Sequence, residues 1–260
     1  MIPPNLETLK HSFEIQAQNF DNTSMNFSKK EYLDYTLDSV QPAATDTVLE
    51  VAAGTCACGR TFSPFVKTVV CLDATDTMMQ VGQQYALENH LHNMIFVKGY
   101  AEELPFLDDS FDIVLSRLAF HHFTDTDSVF REMVRVLKPG GKLVMIDMEA
   151  PNEHLRKTAD TIETLRDPSH VKKLSKKEMQ SLYSSNNIVI EKCETSIIQV
   201  HLSDWLDLTK TSKPVKKQIT DLLTEELHGK KQTGFSPYKK DNDIYFNQKW
   251  VLTLGKKSFS

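Results

Sequence analysis

The stretch VLEVAAGTCACGRTF, Val48 to Phe62, reads as an apolar strand that enters a glycine-containing turn and then a helix. That is the local order of a nucleotide cradle. Only Gly54 and Gly59 are glycines, however, and Ala52 and Cys56 stand where a G-x-G-x-x-G loop would place others. A diphosphate lies flat on several backbone N–H groups and needs those glycines. A ligand without phosphate needs one close backbone approach, and Gly54 can supply it.

Outward from this stretch the chain alternates strand and helix. Apolar runs occur at TVLEVAA (47–53), VVCLDA (69–74), MIFVKG (94–99), DIVLS (112–116) and KLVMIDM (142–148). They are continuous rather than alternating, as in parallel strands buried on both faces. Between them, Leu33, Thr36, Leu37 and Val40 mark one helical face. Met78, Val81, Tyr85 and Ala86 mark a second, and Val129, Phe130, Met133, Val134 and Leu137 a third. The third helix is expected to end at Lys138, before Pro139 and a Gly140-Gly141 turn. Successive β-α-β units imply right-handed crossovers and a doubly wound α/β sheet. Ligands of such sheets sit at the carboxyl ends of the strands, beside the switch point.

After Met148 the pattern changes. Residues 150–185 are mostly polar and helical, with a capping box at Ser175 and Glu178. A strand IVIEK (188–192), a second run SIIQV (196–200), and a helix bearing Val215, Ile219, Leu222, Leu223 and Leu227 follow. Gly229 closes that helix, and IYFNQKWVLTLG (244–255) forms a last strand.

Whole-chain properties narrow the class. The 260 residues suffice for one large α/β domain. A net charge of −5 and an isoelectric point near 6.0 argue against a dedicated nucleic-acid binder. No apolar run reaches the roughly 18 residues of a membrane span, and MIPPNLETLKHSF has no apolar signal core. Cys56, Cys58, Cys71 and Cys193 form no C-x-x-C pair, and no histidines stand at zinc spacing. A cytoplasmic protein with reduced thiols and no metal site is the resulting expectation.

GYAEELPFLDDSFDIVLSRLAFHHF (99–123), followed by REMVRVLKPGGKLVMIDM (131–148), resembles the class I S-adenosylmethionine-dependent methyltransferases. The likeness covers residues 45–150 and is greatest to the ubiquinone and menaquinone biosynthesis branch. It implies a Rossmann-like sheet of seven strands with the last antiparallel and inserted beside the sixth. It also implies a single domain: N-terminal helices and lid over 1–44, a cofactor core over 45–150, an acceptor lid over 150–187 and sheet completion over 188–260. The implied cofactor, an amino acid joined to a nucleoside, has no phosphate, so the missing glycines are tolerable.

The resemblance assigns cofactor residues position by position. Glu50 matches the acid near the methionine amino group. Ala52, Gly54 and Thr55 match the loop passing the methionine and ribose. Asp73, nineteen positions beyond Gly54, matches the ribose-binding carboxylate. Ala74, Thr75 and Met78 border the adenine, Tyr100, Ala101 and Glu102 flank it, and Arg117 meets the methionine part. Cys56 departs from the usual glycine. Its side chain either points into the sheet–helix joint or narrows the pocket. A plain packing role is the expectation, with an acidic thiol at a helix N-terminus as the other reading.

A sulfonium is already an activated donor, so the protein mainly aligns the acceptor, an effect worth roughly 7–11 kcal/mol. A protonated acceptor also needs a base. His121 and His122 follow the fourth strand, with His122 the preferred candidate. In LRDPSHVKKLS (165–175), Arg166, Asp167 and His170 are expected to meet the acceptor, Arg166 holding an anionic group. Phe235 and Tyr238 in TGFSPYKK (233–240) are expected in the pocket wall, with Phe20 and Asp21 folded over the cofactor. The expected partner is a small-molecule methyl acceptor, with no nucleic acid or membrane; the acceptor and the oligomeric state are not written in the residues. A non-catalytic S-adenosylmethionine-binding protein, a protein methyltransferase and an NAD-dependent oxidoreductase are the other readings.

Overall fold

The apolar runs form one sheet whose five parallel strands lie side by side. They are β1 (Thr47–Val51), β2 (Thr68–Asp73), β3 (Met94–Lys98), β4 (Phe111–Arg117) and β5 (Leu137–Met148). In this computed structural model, which describes residues 2–17, 20 and 29–259, the order is β3-β2-β1-β4-β5-β8-β6. β6 (Ile188–His201) is the far edge, and β8 (Asp243–Lys257) runs antiparallel between β5 and β6. The expected seven-stranded path is therefore present. A short β7 (Tyr238–Lys240) hangs on β8 outside it.

Period-two alternation assigns the faces. Leu49 and Val51 join Val114, Leu143 and Met145 on one side, covered by Val129, Phe130 and Met133 of α5 (Thr126–Val136). Val48, Val69, Ile113 and Val144 face the other side. There they meet Leu33 and Val40 of α2 (Lys30–Val40) and Phe62 of α3 (Ala57–Phe62). α4 (Asp76–Glu88) follows β2 and buries Met78, Met79, Gly82 and Ala86. The expected Val81 and Tyr85 are only half-buried, so the buried stripe lies slightly rotated from the one read in the sequence.

Three boundaries differ from expectation. α5 stops at Val136, and LKPGG belongs to β5, where Leu137 pairs with Phe111. The register shifts before Ile113 meets Lys142, and Gly140 takes φ +74° in the irregularity. The Pro-Gly-Gly run thus makes a bulge rather than a turn between elements. The two expected strands after 187 are one strand, with a register shift between Ile190 and Lys192. Finally, the polar segment after Met148 is not one lid. α6 (Glu153–Arg166) stands over the sheet's carboxyl end, packed on α9 (Lys213–Leu227) and near α8 (Leu202–Leu208), and shares a third core with Trp205 and Phe246. α7 (Lys176–Ser185) is an ordinary crossover helix: Met179, Leu182 and Tyr183 enter the main core. Its N-terminus carries the Ser175–Glu178 capping box.

Candidate active site

β1 and β2 end side by side, and the loop between β1 and α3 is bent by three left-handed residues. Ala52, Gly54 and Cys56 have φ of 53°, 54° and 61°. For the two with side chains this conformation costs about 1 kcal/mol or more each. Directed hydrogen bonds hold it. Gly54 donates its N–H to Asp73 Oδ2 at 2.8 Å, Thr75 donates to Asp73 Oδ1 at 2.7 Å, and Gly59 donates to Glu50 Oε2 at 2.6 Å. A Cβ on Gly54 would come 3.1 Å from Met78 Cε, and one on Gly59 would strike Glu50 Oε2 at 2.8 Å.

Cys56 takes the first of its two expected orientations. It is fully buried and stays out of the cavity, packed toward α4. Gly82 makes room for it: a Cβ there would lie 2.6 Å from the Thr55 carbonyl oxygen and 3.1 Å from Cys56 Sγ. Its thiol is not acidic. Contact with Cys71 lowers its pKa, but burial and the Glu50 and Asp73 charges outweigh this and push it above the ordinary value.

A cavity occupies the carboxyl ends of the strands. One half is bordered by Glu50, Ala52, Gly54, Thr55, Asp73, Ala74, Met78, Tyr100, Ala101, Glu102 and Arg117. Thr75 stands just behind, buried, supplying its N–H to Asp73. Burial pushes Glu50 up to about 7, against the pull of the Gly59 N–H and of Arg60 and Arg117. Burial likewise raises Asp73 and Glu102 and lowers Arg117, whose guanidinium lies 5.2 Å from the Trp250 ring.

The other half is roofed by α1 (Leu6–Gln16), whose Leu6, Leu9 and Phe13 point into the cavity. Asn5 donates to the His122 carbonyl at 3.0 Å, and Gln16 donates to Asp167 Oδ2 at 3.2 Å. Phe20 also borders the space, whereas Asp21 lies outside the described residues. The floor holds His121, His122, Phe123, Met148, Arg166 and Asp167. His122 Nδ1 faces the Ser169 carbonyl at 3.1 Å and Ser169 Oγ at 3.0 Å, and burial pushes the ring down to about 3. His121 Nδ1 meets Asp147 Oδ1 at 2.6 Å. A lid was expected within residues 1–44, but the α1 side chains that form it and Asp147 were not singled out from sequence. A lone carboxylate inside the apolar run VMIDM was the available signal.

Several acceptor expectations need correction. Arg166 borders the cavity, but its charge is already answered. It stacks 4.4 Å from Trp205, donates to the Trp205 carbonyl at 3.2 Å, and places Nε 3.4 Å from Glu163. His170 is turned away onto Asp160 at 2.9 Å and is not among the residues bordering the cavity. Nor is Tyr238, which sits on β7 bonded to Gln199 and Asn247. Phe235 is packed against Trp205 and Phe246 instead.

The chain is 34% identical over 194 residues to the uncharacterized methyltransferase YcgJ of Bacillus subtilis, covering 74% of this chain and 77% of that one. It belongs to the class I S-adenosylmethionine-dependent methyltransferases. The crystal structure of YcgJ superposes on this methyltransferase with a TM-score of 0.80 at 31% identity, over 88% of this chain and 99% of that one. The ubiquinone/menaquinone biosynthesis C-methyltransferase UbiE of Hahella chejuensis is 38% identical over 121 residues, 45% of this methyltransferase and 49% of UbiE. The methyltransferase domain family matches residues 49–145, and the anamorsin N-terminal family matches 102–204. Among the described residues no helix is long and apolar enough to cross a membrane.

Proposed function

We propose that this methyltransferase binds S-adenosylmethionine in the Glu50–Arg117 half of the cavity and methylates a small, largely apolar molecule beneath α1. The observation that carries the cofactor assignment is where the loop N–H groups go. Gly54 and Gly59 donate to the carboxylates of Asp73 and Glu50. Amides that would cradle a diphosphate are thus spent on acids, and two carboxyl groups border the space. This suits a cationic, phosphate-free ligand and opposes NAD.

Asp73 accepts the Gly54 N–H on Oδ2 and the Thr75 N–H on Oδ1, which aims the carboxylate at the space a ribose would fill. Glu50 answers an ammonium, and Met78 and Ala101 offer apolar surface to a base. The cofactor brings the activated methyl group. The protein's part is to orient both molecules and exclude water, which the α1 roof does with Leu9 and Phe13. The enclosed, mainly apolar second half favours a small acceptor over a macromolecule.

Isothermal calorimetry with S-adenosylhomocysteine and with NAD tests this. Binding of the first and not the second is expected. Asp73→Ala should weaken it by roughly 1.5–3 kcal/mol through lost charged hydrogen bonds. Tight NAD binding, or an unchanged affinity in Asp73→Ala, refutes the assignment.

A further inference from the structure

His121 and His122 are neighbours in the chain, but the fold treats their rings differently. Their centroids lie 4.1 Å apart, so two imidazolium charges would oppose one another there. Only one ring has a carboxylate on its nitrogen. Asp147 ends β5 next to the turn after β4 that carries His121, so the pair is set by adjacent strands of the sheet. Asp147 is itself fixed: its Oδ2 accepts the His121 N–H at 3.1 Å, and its Oδ1 accepts the Met148 N–H at 2.6 Å.

We propose that His121, oriented by Asp147, is the proton acceptor of this site, and that the methyl acceptor therefore presents an O–H group. This rests on the methyltransferase reading above. An ionised carboxylate only accepts, so the hydrogen of a neutral His121 ring lies on Nδ1, and Nε2 carries the lone pair. The ring borders the cavity, and Nε2 makes no hydrogen bond among the described residues. Asp147 is held below the usual carboxylate range: burial raises it, and the pairing and hydrogen bond with the His121 ring, with the Met148 N–H, more than offset this.

His122 is the poorer base. Its Nδ1 meets a carbonyl and a hydroxyl, and the Asp167 carboxylate reaches it only through Ser169 Oγ, which donates to Asp167 Oδ1 at 2.6 Å. A thioether or an unprotonated amine acceptor already has a reactive lone pair and gives such a pair nothing to do. A hydroxyl does. Its hydrogen passes to Nε2, and the electron pair stays on oxygen. That oxygen bonds the sulfonium methyl as the S–C pair returns to sulfur. The imidazolium, balanced by Asp147, then releases the proton to water.

The test is long-range ¹H–¹⁵N correlation of the imidazole rings, with His121 assigned among the nine histidines by His121→Gln. In the protein alone, His121 should carry its hydrogen on Nδ1, and Asp147→Asn should move it to Nε2. With S-adenosylhomocysteine bound, adding 4-propylphenol should shift Nε2 toward the protonated position. A hydrogen on Nε2 in the wild type overturns the proposal even if Asp147→Asn does not fold. So does an Nε2 signal that stays in place at the solubility limit of the phenol. Absence of S-adenosylhomocysteine binding by calorimetry overturns the methyltransferase reading instead, and leaves the tautomer result standing.

Discussion

Glu50 should make cofactor binding depend on pH. With only protein groups around it, burial holds this carboxyl at about 7, above its ordinary 4.5. The ligand's ammonium group favours the ionised form. At pH 8 roughly nine-tenths of the protein has Glu50 ionised, and at pH 6 roughly one-tenth. Affinity for S-adenosylhomocysteine should therefore fall about tenfold between pH 8 and pH 6, near 1.4 kcal/mol, with close to one proton released per ligand at pH 6. Calorimetry in two buffers of different ionisation enthalpy reads both quantities. Glu50→Gln keeps an acceptor for the Gly59 N–H and separates this carboxyl from the ligand's own titration, so its affinity should be lower and nearly flat. The sign for folding is the opposite. Because the folded pKa is raised, the stabilising difference is full below about pH 4.5 and is lost as pH rises through 7. Glu50→Gln should then gain up to about 3 kcal/mol of stability at pH 8. Equal wild-type affinity at pH 6 and 8, with no proton released, refutes the argument.

Gly82→Ala should destabilise the fold by about 1–3 kcal/mol in urea melts, because the new methyl meets the Thr55 carbonyl at 2.6 Å and backbone cannot easily yield. Cys56→Gly relieves a left-handed residue but empties the space of a buried thiol, so S-adenosylhomocysteine affinity should stay within about twofold; a tenfold loss refutes the view that Cys56 only packs. Glu163 is buried between Lys173 at 3.0 Å and Arg166 at 3.4 Å. Burial raises it, but these charges win and hold it at about 2. Its folded pKa is depressed, so its contribution is present above about pH 4.5 and is lost as pH falls toward 2, about 3 kcal/mol in all. Glu163→Gln leaves two buried cations and should cost about 3–5 kcal/mol at pH 7, with a shallower acid limb in urea melts; an unchanged midpoint refutes it.

The parallel strands were legible because burial on both faces leaves continuous apolar runs, as at Val48–Val51 and Val69–Leu72. The start of β5 was not, since Pro139 and Gly140 carry turn chemistry and only pairing with β4 makes them strand. β6 looked like two strands because Glu191 to Thr195 are polar, a pattern that an edge strand tolerates. In the site, Glu50, Gly54 and Asp73 belong to one short β-α-β unit, so local order brought them together. The acceptor half joins residues far apart in the chain: Asn5 bonds the carbonyl of His122, 117 positions away. The face of α1 can be read from Leu6, Leu9 and Phe13, but its partner cannot. Likewise, nothing in the pair His121-His122 says which ring finds Asp147. Gly82 did give a signal, for a glycine inside a helix costs about 1 kcal/mol and asks for a reason.

The α1 roof has a kinetic meaning. In the arrangement proposed above, cofactor and acceptor share one chamber, and the helix roofs its second half, tied at Asn5 and Gln16. On that arrangement the methylated product leaves by loosening those few contacts. Turnover thus acquires a step in which a helix undocks and redocks through solvent, a motion of microseconds to milliseconds for such closures. Whichever molecule enters first also changes how often that door stands open for the second.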